Sequence, residues 1–161
     1  MNPIAFTPIG VVRSPFTSEV GMPIQSVAAE SVEGHIELDP AYAPGLADLE
    51  GFSHLWLLCY LHRSKESALV VTPFLDDQPH GVFATRSPRR PNPISISIVR
   101  LLRVEGHVLH VVDLDLIDGT PVLDIKPYVP TFDVRDTTRI GWYEGKVERV
   151  HNVRSDGRFQ S

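Results

Sequence analysis

The sequence predicts an all-β fold, a single-domain antiparallel β-barrel with only short helices, and three observations lead there. Fourteen prolines and eleven glycines are spread through 161 residues and break up any long helical period. Ile94, Ile96 and Ile98 alternate with Ser95 and Ser97, and Val112, Leu114 and Leu116 alternate with Asp113 and Asp115, as half-buried strands do. Glu105-Gly106 and Asp118-Gly119 have the residue types of tight turns, the second needing positive φ. Short strands joined in this way form a barrel most economically as a closed meander, since closure removes unpaired sheet edges.

In chain order, residues 4–12 give a first strand, 34–38 a second and 52–62 a buried one around LWLLCYL. Residues 69–74 and 81–85 give two more before the alternating segments begin. Residues 44–49 are the one modest helix candidate in the first half. The polar tail from Asp136 still carries Ile140, Trp142, Tyr143, Val147 and Val150, enough apolar surface to dock. Residues 1–135 are therefore read as the barrel domain and 136–161 as an extension packed on it, in a chain long enough to bury roughly 70% of its extended surface.

With 42% hydrophobic and 22% charged residues, the composition is that of an ordinary soluble domain. A net charge of −5 on its own argues against a nucleic-acid partner, because phosphate binding draws on clustered cations. The distribution argues the other way: Arg86, Arg89 and Arg90 fall within five residues, and Arg63, Lys65, Arg100 and Arg103 add to the central positive charge. A single cysteine, Cys59, excludes an internal disulfide and a thiolate cluster, so a reducing cytoplasm is the expected compartment. The N-terminus does not have the pattern of a leader, and the apolar run at 55–61 is too short to span a bilayer, so no membrane association is expected. His54, His62 and His80 match no established zinc spacing, and no metal is expected. Gly-rich phosphate loops and GxSxG elbows are absent from the sequence.

Three segments carry chemistry. In TRSPRRPNP, from Thr85, prolines at 88, 91 and 93 fix φ and push the residues before them towards extended conformations, so the loop is stiff. A guanidinium held in such a loop loses little entropy on binding a carboxylate or phosphate; the bland alternative is an exposed basic turn with surface ion pairs. In LDLIDGTPVLDIKPYVP, Asp118 has the character of a turn residue. Asp124, Lys126 and Tyr128 instead combine a stacking face with a hydrogen-bond acceptor, which suits a planar base. In GMPIQ, Gln25 offers an amide that both donates and accepts.

These segments, together with PIGVVRSPF, LEGFSHLWLLCYLHR and PFLDDQPHGVFATRSPRRPNPI, run in order over about residues 4–133, and the sequence resembles the TsaA-like (TrmO) family. The resemblance implies a β-barrel methyltransferase, a homodimer binding S-adenosylmethionine near its subunit interface. It also implies a tRNA substrate, N6-methylated at threonylcarbamoyladenosine in position 37 of the anticodon loop. By motif it assigns Gln25, Ser26, Val27, His62, Arg63, Arg86, Ile96, Leu116, Ile117, Asp118 and Gly119 to the methyl donor. Arg89, Arg90 and Asn92 are left for the donor's carboxylate, the tRNA backbone or the threonyl carboxylate. Ser95 and Ile24 depart from the family's usual Gly and Arg. Bacterial members also carry a further C-terminal domain, for which no room is expected here.

For the reaction, Tyr128 is expected to pack on the adenine or shape its pocket, with Lys126 beside it, while Asp118 or Asp124 accepts a hydrogen bond from the substrate. Two alternatives use the same residues: a non-catalytic RNA-binding module, and methyl transfer to another RNA or a small molecule.

Overall fold

The computed structural model describes residues 2–159. Its strands are β1 (Gly10–Arg13), β2 (Gly34–Leu38), β3 (His54–Tyr60), β4 (Val70–Val71), β5 (His80–Gly81), β6 (Ile94–Glu105), β7 (Val108–Val112) and β8 (Pro121–Pro127). Six of them close into a barrel in the order β1-β2-β7-β6-β3-β8, every neighbouring pair antiparallel, and β4 and β5 form a separate two-stranded ribbon. The fold is thus mainly β, with short helical turns in the connections.

Inward-facing side chains from all six strands fill the interior: Val12, Ile36, Leu55, Leu57, Val99, Leu109, Val111 and Val122 are fully buried. Leu114 and Leu116, beyond the end of β7, join the same core. Close strand approach at the β1–β2 seam depends on glycine. A Cβ on Gly10 would lie 2.5 Å from the Glu37 carbonyl oxygen and 2.8 Å from the Leu38 Cα.

The connectivity is not a meander. The β6–β7 hairpin turns through Gly106 at φ +62°, as its Glu-Gly pair predicts. The chain instead crosses between non-neighbouring strands from β2 to β3 and from β7 to β8. Asp113 explains the second crossing. It takes a left-handed conformation (φ +66°), its Oδ1 accepts from Ser31 N at 2.9 Å, and its Oδ2 lies 3.6 Å from Arg100. This ends β7 at Val112, so the alternation through Leu116 is no strand, although its leucines are buried.

Other expectations are corrected by similar local causes. The strand expected over 4–12 is regular only from Gly10, since Pro8 has no N–H to give a ladder, and Ile4 and Phe6 are exposed. The strand expected over 69–74 shrinks to two residues ahead of Pro73. The strand expected over 81–85 becomes a 3-10 turn at Val82–Ala84, closed by Thr85, whose N and Oγ1 both donate to Val82 O. The helix expected over 44–49 is replaced by 3-10 turns at Pro40–Leu46 and Leu49–Gly51, the first capped by Asp39. β8 is a strand that the sequence does not predict, because prolines bound it at both ends.

One asymmetry positions the site. β6 pairs with β3 along Ile94–Arg100 but with β7 only from Arg100 onward, so its first six residues overhang with one edge free. Within the overhang Ser97 and Val99 face the core, and Ile94, Ile96 and Ile98 face outward, with Ile96 48% exposed. Gly10→Ala is expected to lower the urea unfolding midpoint by more than 1 kcal/mol equivalent, about the cost of an overpacked contact. Gly81→Ala, which meets open space, should leave it within about 0.5 kcal/mol.

Candidate functional site

A cleft of about 880 Å³ opens beside the β6 overhang, a size typical of small-molecule sites. Its walls come from residues 22–27 after β1, 61–64 and 73–75 after β3, the arginine-proline loop, residues 115–117, and the C-terminal tail. The overhang itself contributes Ile94 to Ile98, so a free strand edge with unpaired backbone groups borders the cavity.

The arginine-proline loop is held by a chain of short local bonds. Ser87 N donates to Thr85 Oγ1, Arg89 N to Ser87 Oγ, and Ser64 Oγ to Pro88 O at 2.8 Å. Arg90 reaches back, its Nη1 donating to the carbonyls of Thr85 (3.1 Å) and Ser87 (3.3 Å), so its charge sits at the wall as a brace. Arg86 is the arginine aimed across the cleft: its Nη1 donates to Gln25 Oε1 at 2.5 Å, joining two of the sequence motifs. Arg89 turns away to Glu66 at 3.5 Å and does not line the cavity.

Most residues assigned to the donor by motif meet here: Gln25, Ser26, Val27, His62, Arg63, Arg86, Ile96, Leu116 and Ile117 all line the cleft, as do Arg90 and Asn92. Asp118 and Gly119 do not. Asp118 borders a separate small depression, where its Oδ1 accepts from Ser14 N at 3.1 Å, and Gly119 supplies φ +79° to the turn. Asp124 and Lys126 pair with one another at 2.7 Å on β8, and Tyr128 packs edge-on against Trp56 at 5.5 Å. All three lie outside the cleft. Ser95, in place of the family's glycine, fits an ordinary strand position opposite Cys59.

Asp115 also lines the cleft, and no motif in the sequence marks it. Although the residue as a whole is half-buried, its Oδ1 is shielded from water and has no hydrogen-bond partner among the described residues. Burial pushes the carboxyl up to about 6, against the pull of the Ser97 hydroxyl and the Arg86 guanidinium. Cys59 beneath it is inert, its thiol pushed up to about 12 by burial and by the Asp115 charge. His62 is held below its ordinary value by burial first and the Arg63 charge second, and its Nδ1 is also enclosed without a partner.

The tail closes the remaining side. Ser155 Oγ donates to Glu19 O at 2.5 Å and its N to Met22 O at 2.9 Å, while Arg158 Nη1 donates to Pro73 O at 2.8 Å. Lys146 and His80 both bond Asp76, holding that carboxyl well below the usual range, with Lys146 the larger cause. The rings of His80, Trp142 and Tyr143 stack in series at 4.6 and 3.8 Å, and Trp142 Nε1 donates to Ala84 O. Trp142 and Tyr143 thereby become cleft walls, and burial raises the Tyr143 phenol above its ordinary value.

The raised carboxyl of Asp115 carries a stability consequence. Between about pH 4 and 6 the folded state holds a proton there that the unfolded chain has released, so stability falls as pH rises through this window and stays reduced above it. Asp115→Asn should therefore stabilise the protein at pH 7.5 by up to about 3 kcal/mol, from a shift of roughly two pKa units. The gain should vanish near pH 4. Urea unfolding at the two pH values measures it, and an unchanged midpoint at pH 7.5 would mean that the carboxylate is not desolvated.

Comparison with known proteins agrees with this architecture. Residues 11–134 match the family described as the tRNA-methyltransferase O N-terminal domain. A Pyrococcus abyssi protein named "Probable S-adenosyl-L-methionine-binding protein" is 51% identical over 158 residues, covering 98% of this chain and 86% of its own. The Escherichia coli tRNA (adenine(37)-N6)-methyltransferase is 43% identical over 140 residues, 81% of this chain and 60% of that enzyme. A crystal structure of TrmO from Pseudomonas aeruginosa superposes with a TM-score of 0.74 at 39% identity, over 88% of this chain and 63% of that one. The chain thus spans most of the archaeal relative and about three fifths of the two bacterial ones. By the family model over residues 11–134 and by these relatives, the chain belongs to the tRNA-methyltransferase O N-terminal-domain family.

Proposed function

We propose that this protein is an S-adenosylmethionine-dependent methyltransferase that modifies N6 of adenosine 37, in its threonylcarbamoylated form, in the tRNA anticodon loop. The observation that carries the reading is Arg86, fixed by Gln25 across a cleft lined by most of the residues that the family resemblance assigns to the donor. The residues present fit such a donor. The cavity is largely apolar, has room for a nucleoside and an amino-acid tail, and encloses two polar atoms, His62 Nδ1 and Asp115 Oδ1, that a polar ligand would satisfy.

The bound donor supplies a methyl group already activated on a sulfonium, so the protein's task is alignment and exclusion of water. Arg86 offers a charged fork to an anionic group, and Leu116 and Ile117 supply an apolar wall. Arg63 and Arg86 give the cleft positive charge that favours a phosphodiester chain laid across it. The side chains placed on β8 and its flank, Asp124, Lys126 and Tyr128, lie away from the cavity and suit outlying contacts with tRNA better than a role at the reacting atoms.

The exposed isoleucine face of β6, with Val27 58% and Ile96 48% exposed at the cleft rim, supports a homodimer in which a second copy covers the mouth. A tRNA substrate and an inert buried thiol both suit the cytoplasm, and no helix among the described residues is long and apolar enough to cross a membrane.

Arg86→Ala should keep the circular dichroism spectrum and lose methyl transfer to unmethylated tRNA by at least roughly thirtyfold at limiting donor, the scale of one lost charge-assisted bond. A purified variant with a near-normal rate would overturn the assignment.

A further inference from the structure

The methyl-donor reading leaves one group in the cleft unexplained. Asp115 is a carboxylate in a mostly apolar cavity, and its Oδ1 is closed off from water without a donor to bond it. The chain maintains this arrangement deliberately: the left-handed turn at Asp113 carries residues 113–117 out of the sheet, and Leu114 and Leu116, both buried, clamp the segment on either side of Asp115. An enclosed acceptor without a partner is costly unless a ligand supplies the missing proton donor. Its neighbours provide no such donor for Oδ1. Ser97 from β6 approaches the carboxyl, Cys59 lies beneath it on β3, and the Arg86 guanidinium, committed through Nη1 to Gln25, acts on it through space.

Resting on the donor reading above, we infer that Asp115 receives the α-ammonium of the donor's amino-acid tail while Arg86 takes its α-carboxylate, the two side chains together reading an amino-acid zwitterion. A sulfonium has no N–H to give, so the ammonium is the donor's cation that can satisfy Oδ1 by hydrogen bonding. An aspartate and an arginine with opposite charges on adjoining walls match the opposite charges of the tail. In this arrangement Asp115 is a specificity residue for the tail and takes no part in moving the proton from the acceptor nitrogen.

Calorimetric titration with three probes tests this. S-adenosylmethionine has the tail and the sulfonium, S-adenosylhomocysteine has the tail without the sulfonium charge, and methylthioadenosine has neither. Asp115→Asn is expected to weaken the first two alike, by at least tenfold, and to leave methylthioadenosine within about twofold, a result that also shows the cleft to be intact. Weakening of S-adenosylmethionine alone would place the carboxylate at the sulfonium and overturn the inference. Unchanged affinities with slower methyl transfer would place it at the acceptor, and equal weakening of all three probes would make it a structural support; either outcome sinks the proposal. Failure of the unmutated protein to bind any probe would instead remove the donor reading itself.

A variant-free measurement supplements these. In the unmutated protein, S-adenosylhomocysteine affinity should fall several-fold between pH 7.5 and 5 as Asp115 takes up a proton, and methylthioadenosine affinity should not. Of the titratable and charged groups facing this space, Cys59 and Tyr143 are raised and lose protons above the range, and Glu19, His62, Arg63, Arg86, Arg90 and Asp156 border the same cavity and are retained in Asp115→Asn, whose profile should be flat. A flat profile for S-adenosylhomocysteine would count against the ammonium contact.

Discussion

The left-handed conformation of Asp113 is the constraint on which the cleft depends. Because β7 stops there, β6 outruns its neighbour and is left with a free edge, and the chain beyond the turn is carried over the end of the barrel. A non-glycine residue holds such a conformation only when its surroundings compensate, and the bonds to Ser31 N and Arg100 do so. The barrel closes on its six strands regardless. What the turn adds is an interruption of regular pairing at one place, and the cleft occupies that place.

The same interruption separates stability from function. The interior is apolar and fully packed, with Leu55, Leu57 and Leu109 enclosed on every side. The cleft next to it holds an enclosed carboxylate, an enclosed imidazole nitrogen and an arginine tethered by an amide. These groups are unfavourable for the empty protein and favourable for a charged ligand, which is the division of labour expected of a site built to bind rather than to fold.

Much of this was legible in the sequence, and the parts that were not have physical reasons. The all-β class, strand β2 and the Gly106 turn follow from period and turn chemistry, and Gln25, His62, Arg63, Arg86 and Leu116, which line the cleft, lie in motifs that are local in sequence. The strand order was not legible, because alternation reports which residues share a face and says nothing of which strand lies alongside. The isoleucines of β6 misled by the same rule: Ser97 occupies the inner face, and the larger residues look out over the cleft. Proline at both ends hid β8. Asp115 is not legible because an aspartate between two leucines reads as the solvent side of a strand, and only the turn two residues earlier reverses that meaning. Asp118 and Gly119, assigned by motif, and Asp124, Lys126 and Tyr128, read from residue type, sit away from the cavity because neither a motif nor a residue type carries direction.

The tail leads to a different kind of consequence. It is fastened by ring stacking, an aspartate shared between Lys146 and His80, and a few bonds to backbone carbonyls, with Val150 its one buried aliphatic among the described residues. A segment held by so little buried surface opens at a far smaller free energy than the barrel it covers. Opening of this segment would uncover the cleft and leave all six strands paired. A molecule bound in the cleft and the order of residues 136–159 would then be linked quantities, each favouring the other by the same amount.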